Sequence, residues 1–241
     1  MNSQIQTAYI NALLADAAYV DANSLATDLP KRMTPTQAAY IAANFEVASA
    51  INTSDIPFVG SGFDAVVWRG KAGTEFAGQV FVSMRGTEVF PGADLMADSD
   101  LALTEGALSQ ITDMINWWLR ETTPMGQLAQ QVKWDPLRQP NSNSVEIVPG
   151  FAWSSSVAGT GNLAGVSNVQ VDGHSLGGHL ATAFARIFGG SVSIDGLSTF
   201  NSAGFNTQQA NAMFLGLQAL LGTGLGSYSE KQINYYGSNG T

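Results

Sequence analysis

The sequence predicts an α/β domain built on a mainly parallel sheet flanked by helices, and three observations carry that expectation. Strand-like and helix-like runs alternate from about residue 166 to residue 237. One of those strands ends in a Gly-x-Ser-x-Gly pentapeptide, residues 173–177, that leads directly into an Ala-rich helical run. The composition is globular, with 241 residues of which 45% are hydrophobic and 12% charged. That length is ordinary for one α/β domain and can bury a sizeable core.

Charge and residue usage exclude several functions. Net charge is −9 and the ten Lys and Arg are scattered, which argues against nucleic acid as a partner, because phosphates need clustered positive charge. Cysteine is absent, so disulfides and thiolate metal sites are excluded. The N-terminal stretch MNSQIQTAYINALLADAAYV has no Lys or Arg before Lys31 and so lacks the basic n-region of a secretory signal peptide. The longest apolar run, AMFLGLQALLG at 212–222, is about half of the ~20 residues that a membrane span needs.

No internal repeat or low-complexity linker divides the chain, so residues 1–241 read as one domain, helical over 1–52, with the sheet and its flanking helices over 63–241. TPTQAAYIAANFEVASAI opens with Thr34 as an N-cap and Pro35 in the first turn, and apolar residues then recur at helical spacing. FDAVVWRG (63–70) and GQVFVSMRG (78–86) are β-rich and joined by the turn-forming KAGTEFA, which predicts an antiparallel hairpin. Ala107 to Arg120 puts Ile111, Met114, Ile115 and Trp118 on one helical face. Residues 135–162 are rich in turn formers and predict a long connection. Then VSNVQVDG (166–173) reads as a strand, 176–188 as a helix, 193–204 as containing a strand, 206–222 as a helix and KQINYYG (231–237) as a last strand. Active sites in such sheets lie at the carboxyl ends of the strands.

Gly173-His174-Ser175-Leu176-Gly177 gains meaning from that context. Between a strand and an immediate helix it is the pattern of a nucleophile elbow, a sharp turn that exposes the serine oxygen. Gly173 and Gly177, two positions either side, permit the close approach of strand and helix. The N–H of Leu176, at the helix start, would face a developing oxyanion.

Arg85-Gly86-Thr87 ending a strand, the acidic DLMADSD (94–100), GHSLGGHLA at the elbow and TFNSAGF after the next strand together resemble the class 3 lipases of the α/β-hydrolase superfamily, and more particularly their bacterial lipase and phospholipase A1 relatives. The resemblance runs from about Thr34 to the last residue and implies an α/β-hydrolase sheet and carboxylic ester hydrolysis on lipids. It implies Ser175 as nucleophile and Thr87 and Leu176 as oxyanion-hole donors. It also implies export without an N-terminal signal peptide, with a cytoplasmic location as the alternative.

A general base is harder to find. The chain has two histidines. His174 precedes the serine, so its side chain is expected to turn away from the nucleophile into packing, and His179 sits on the following helix and points away from the site. In this superfamily the order is Ser, Asp or Glu, then His. Asp195 is expected at the wrong edge of the sheet, and Glu230 precedes its strand. The resemblance puts the acid after the strand that QINYYG matches and the histidine later, so both are expected beyond residue 241, on a domain truncated at its C-terminus. This chain alone would then be inactive.

Three further features need weighing. Asp94, Asp98 and Asp100 suit either a Ca²⁺ site or a solvated acidic face; no other cofactor is expected. Trp117 and Trp118 suit either a lipid-facing lid or a buried helix face. The 135–162 connection, with Phe151 and Trp153, suits a cover over the site. The expected partner is a lipid or ester substrate at an interface. The alternatives are a non-catalytic lipid- or partner-binding module on a hydrolase scaffold, and a serine hydrolase of another acyl class.

Overall fold

The computed structural model describes residues 3–53, 61–86, 105–135, 150–202, 204–205, 207–224 and 229–237. Three helices come first: α1 (Ser3–Ala17), α2 (Leu25–Arg32) and α3 (Pro35–Asn44). Thr34 caps α3 as expected. Its side chain accepts from the Gln37 N–H, and the Gln37 side chain accepts from the Thr34 N–H, a reciprocal capping box with Pro35 in the first turn.

The helical part stops at Asn44, not at residue 52. Phe45 turns extended, and Phe45–Asn52 is a strand, β1. It pairs antiparallel with β2 (Asp64–Gly70), and Phe45 packs on Phe76 and Phe81 with ring centroids 4.8 and 5.4 Å apart. FEVASAIN fits either period on its own; the β2 ladder and the aromatic cluster decide for the strand.

β2 pairs antiparallel with β3 (Val80–Arg85), the hairpin expected from the sequence. From β3 onward the sheet is parallel: β6 (Asn168–His174), β7 (Ser193–Phe200) and β8 (Gln232–Tyr235) follow side by side, giving the order β1-β2-β3-β6-β7-β8. The helices between them are α5 (Leu176–Phe188) and α6 (Thr207–Leu221). The protein is an α/β domain whose central sheet is mostly parallel and flanked by helices.

Strand alternation sends side chains to two cores. On one face Val82, Met84, Val169, Val171 and Leu197 meet Leu180, Phe184 and Ile187 of α5. On the other, Trp68 and Phe81 meet Ile10, Leu14 and Ala17 of α1 and Leu29 and Ile41 of α2 and α3. α4 (Glu105–Thr122) packs beside α5 through Trp118, whose ring meets Phe184 edge-on at 4.7 Å. Trp117 and Trp118 are 5% and 3% exposed. They are core residues, and the lid reading of this helix does not hold.

The expected long connection over 135–162 is corrected at its far end, while residues 136–149 lie outside the described residues. Gly150–Ala158 forms β5 and pairs antiparallel with β4 (Leu128–Asp135) in a separate two-stranded sheet. Phe151 is buried against Trp134 at 5.1 Å, inside the core and away from any covering role, whereas Trp153 is partly exposed. Serines at 154–156 look like loop residues, but here they occupy the exposed positions of the strand. Among the described residues no helix is long and apolar enough to cross a membrane.

Trp118→Ala should lower stability by about 3–5 kcal/mol, because it opens a cavity against Phe184 and Phe188. Trp153→Ala should cost no more than about 1 kcal/mol. Urea unfolding of both variants checks the contrast.

Candidate active site

β6 carries the chain to Ser175, and α5 starts one residue later. Ser175 has φ 57° and ψ −126°, a conformation that costs a non-glycine residue about 1–3 kcal/mol and persists only where its surroundings enforce it. The enforcement is visible. The Ser175 N–H donates to the Phe200 carbonyl of β7 at 2.9 Å, and the Ser175 carbonyl accepts from the Gly178 N–H at 3.0 Å. A Cβ on Gly173 would lie 2.3 Å from the Gly177 carbonyl oxygen, and one on Gly177 would lie 2.1 Å from that of Met84. Strand, turn and helix touch backbone to backbone, so side chains are excluded at both positions.

The same crowding brings the end of β3 to the helix N-terminus. A Cβ on Gly86 would sit 3.1 Å from the N atoms of Leu176 and Gly177 and from the His174 carbonyl oxygen. The first N–H groups of a helix have no intrahelical acceptor, and the helix dipole adds partial positive charge there. Ser175 is half-buried beside them. Such an arrangement suits a nucleophile and an anion that forms next to it.

Each residue expected from the sequence can be placed or set aside. Gly173, Ser175, Leu176 and Gly177 come together as described. Thr87 lies outside the described residues, as do Asp94, Asp98 and Asp100; among the described residues no group of three or more His, Asp or Glu could hold a metal. His179 is fully buried and stacks on Phe205 with ring centroids 3.7 Å apart. His174 turns away from the serine but not into packing: its ring is exposed, and its Nδ1 lies 3.3 Å from the Tyr19 hydroxyl. Tyr19 meets one edge of the ring and leaves the rest of it exposed. Asp195 lies near the start of β7, bonded to Asn168 at 2.7 Å, at the edge opposite Ser175. Glu230 is exposed ahead of β8.

No family model matches the chain, and no curated protein does. A similar fold is seen in the crystal structure of Lip2 lipase from Yarrowia lipolytica at 1.7 Å resolution. The two chains are 15% identical, with a TM-score of 0.46 over 98% of this chain and 71% of that one.

Two titrating groups flank the elbow. Partial desolvation holds the His174 imidazole below its ordinary value; Arg32 pushes the same way and Asp16 opposes. Asp172, three residues before Ser175, is fully buried. Burial pushes its carboxyl well above the usual carboxylate range, and the Ser83 hydroxyl, opposite it in the β3–β6 register, offsets this in part. Among the described residues no cation pairs with it. Sequence reasoning passed over Asp172, although a carboxyl at the end of the apolar alternation of VQVDG was a visible signal.

Gly177→Ala should destabilise the fold by about 3 kcal/mol or more, because the new methyl meets the Met84 backbone carbonyl, which has no flexible end to give way. Urea unfolding measures it. Asp172→Asn should melt higher than the parent at neutral pH. The folded carboxyl keeps its proton to higher pH than the unfolded chain does, so the parent loses stability as pH rises above the ordinary carboxylate range, by up to about 1.4 kcal/mol per pH unit. Melting curves from pH 4 to pH 8 should therefore diverge upward, with the smallest difference at the acid end.

Proposed function

We propose that this chain carries the nucleophile of a serine ester hydrolase of the lipase class 3 type, acting on lipid esters such as triacylglycerols or phospholipids. The observation that supports it most is Ser175 at φ 57°, held between β6 and α5 with the α5 N-terminus beside it. Ser175 Oγ would attack the acyl carbonyl, the oxyanion would be held by the N–H groups of Leu176 and Thr87, the alcohol would leave, and water would release the acid. Ca²⁺ binding by Asp94, Asp98 and Asp100 forms no part of the proposal.

The base would come from polypeptide beyond residue 241, since His174 faces Tyr19 and His179 is sealed against Phe205. The acid would follow β8. Backbone bonds link the strand ends in series: Ser175 N–H to the Phe200 carbonyl, then Asn201 N–H to the Tyr235 carbonyl at 2.8 Å. Chain leaving β8 therefore starts two strands from the serine, about 10 Å away. An address outside the cell belongs to the same proposal.

The positions of the two histidines favour a second reading, a binding module on a hydrolase scaffold. A fluorophosphonate probe with peptide mapping, together with a p-nitrophenyl ester series, separates them when applied to this chain and to the longer product of its reading frame. The expected outcome is modification of Ser175 and ester turnover in the longer form, both abolished by Ser175→Ala. Thr87→Gly, which keeps the N–H, should cost less than the ~2.7–4 kcal/mol assigned to a whole oxyanion donor. A Ser175 that stays unlabelled in every form would overturn the hydrolase reading in favour of the binding one.

A further inference from the structure

We infer that Tyr19 is a positioning residue for this site, its hydroxyl tying the chain leading into Thr87 to the elbow that presents Ser175; the inference rests on the esterase reading above. The Gly86 N–H donates to Tyr19 Oη at 3.3 Å, and Oη lies 3.3 Å from His174 Nδ1. Gly86 directly precedes one proposed oxyanion donor, and His174 directly precedes the nucleophile. Oη accepts from the Gly86 N–H, and a hydroxyl can accept and donate at once, so Nδ1 can accept from Oη when the imidazole is neutral. The depressed basicity of His174 favours that neutral form.

The tyrosine is itself held from several sides. α1, which ends two residues earlier, is fixed by buried Leu14 and Ala17 and by a buried hydrogen bond from Asn11 Nδ2 to Ser198 Oγ of β7 at 2.8 Å. The ring lies under the Arg32 guanidinium at 4.3 Å and near that of Arg85 at 5.2 Å, contacts in which cations meet the negative face of the ring. Arg32 is anchored by Asp16 at 2.8 Å and Arg85 by Asp64 at 3.4 Å. The His174 ring meets the Tyr19 ring edge-on at 6.2 Å. A side chain fixed in this way can transmit rigidity through two long hydrogen bonds. Oxyanion donors need this, because their effect depends on placement to a fraction of an ångström.

Tyr19→Phe tests the hydroxyl alone, since it keeps the ring and its contacts with Arg32, Arg85 and His174. Amide exchange at Gly86, followed in the 241-residue chain, should speed up about tenfold, the factor that corresponds to one ordinary hydrogen bond. The denaturation midpoint should hardly move. In whichever form hydrolyses esters, kcat should fall several-fold with KM unchanged, a split that a general loss of packing would not give. Unchanged Gly86 exchange overturns the inference whatever the esterase assay shows, and so does an unchanged kcat. If Gly86 exchange rises while Ser175 stays inert in every form, the esterase reading fails and takes the catalytic consequence of the clamp with it.

Discussion

Contact between the backbone of Gly177 and the carbonyl of Met84 is the constraint on which the rest of the structure depends. It sets α5 directly on the sheet, with no side chain between helix and strand at their point of entry. A helix seated that low must be lined by small residues, and Ala181, Ala183 and Ala185 are all fully buried on it. The seating also fixes where the helix begins. Its first N–H groups fall beside the end of β3, and the preceding residue is left in a conformation that its own φ and ψ preferences would reject. The exposed serine oxygen and the donors around it are thus two results of one packing decision.

The two faces of the sheet are built differently. Under α5, β3 and β6 present apolar groups, and polar residues enter only toward β8, where Thr199 donates to Asn234 and Gln232 donates to Thr182 of α5. Under α1 the alternate positions of β6 are Gln170, Asp172 and His174, with Ser83 on one neighbouring strand and Ser198, bonded to Asn11, on the other. The buried hydrogen bond from Asn11 to Ser198 fixes the register of α1 on this seam more sharply than apolar adhesion would. The seam runs along β6 to the elbow. It connects the N-terminal helices to the site through specific contacts, and Tyr19 is where that connection surfaces.

Most of the parallel half was legible in the sequence, because glycines separate its strands from its helices and each run is long enough to show its period. The elbow could be read for the same reason: Gly173 and Gly177 mark a steric requirement that few other residues meet. β1 was not legible. A well-capped helix ran into it without a breaker, and FEVASAIN became a strand only through β2 and the Phe76–Phe81 cluster. β5 was hidden by its serines, which suit an exposed strand face as well as a loop. Tyr19 could not have been found by any local pattern, since its partners are 67 and 155 residues away.

The place of β3 in the sheet order has a kinetic consequence. Its hairpin partner β2 precedes it closely in the chain, but its other neighbour is β6, which pairs Gly173 with Met84. During synthesis the hairpin can close early. Its far side, Val80-Phe81-Val82-Ser83-Met84, then stays an open, apolar strand edge until residues 168–174 have been made. Edges of that kind recruit other chains. Loop closure over so long a separation is also slow compared with hairpin formation. The arrangement that places the helix N-terminus against the serine therefore concentrates the hazard of misassembly in the interval before β6 arrives, and any factor that shields β3 on the nascent chain would govern the yield of folded protein more than its final stability does.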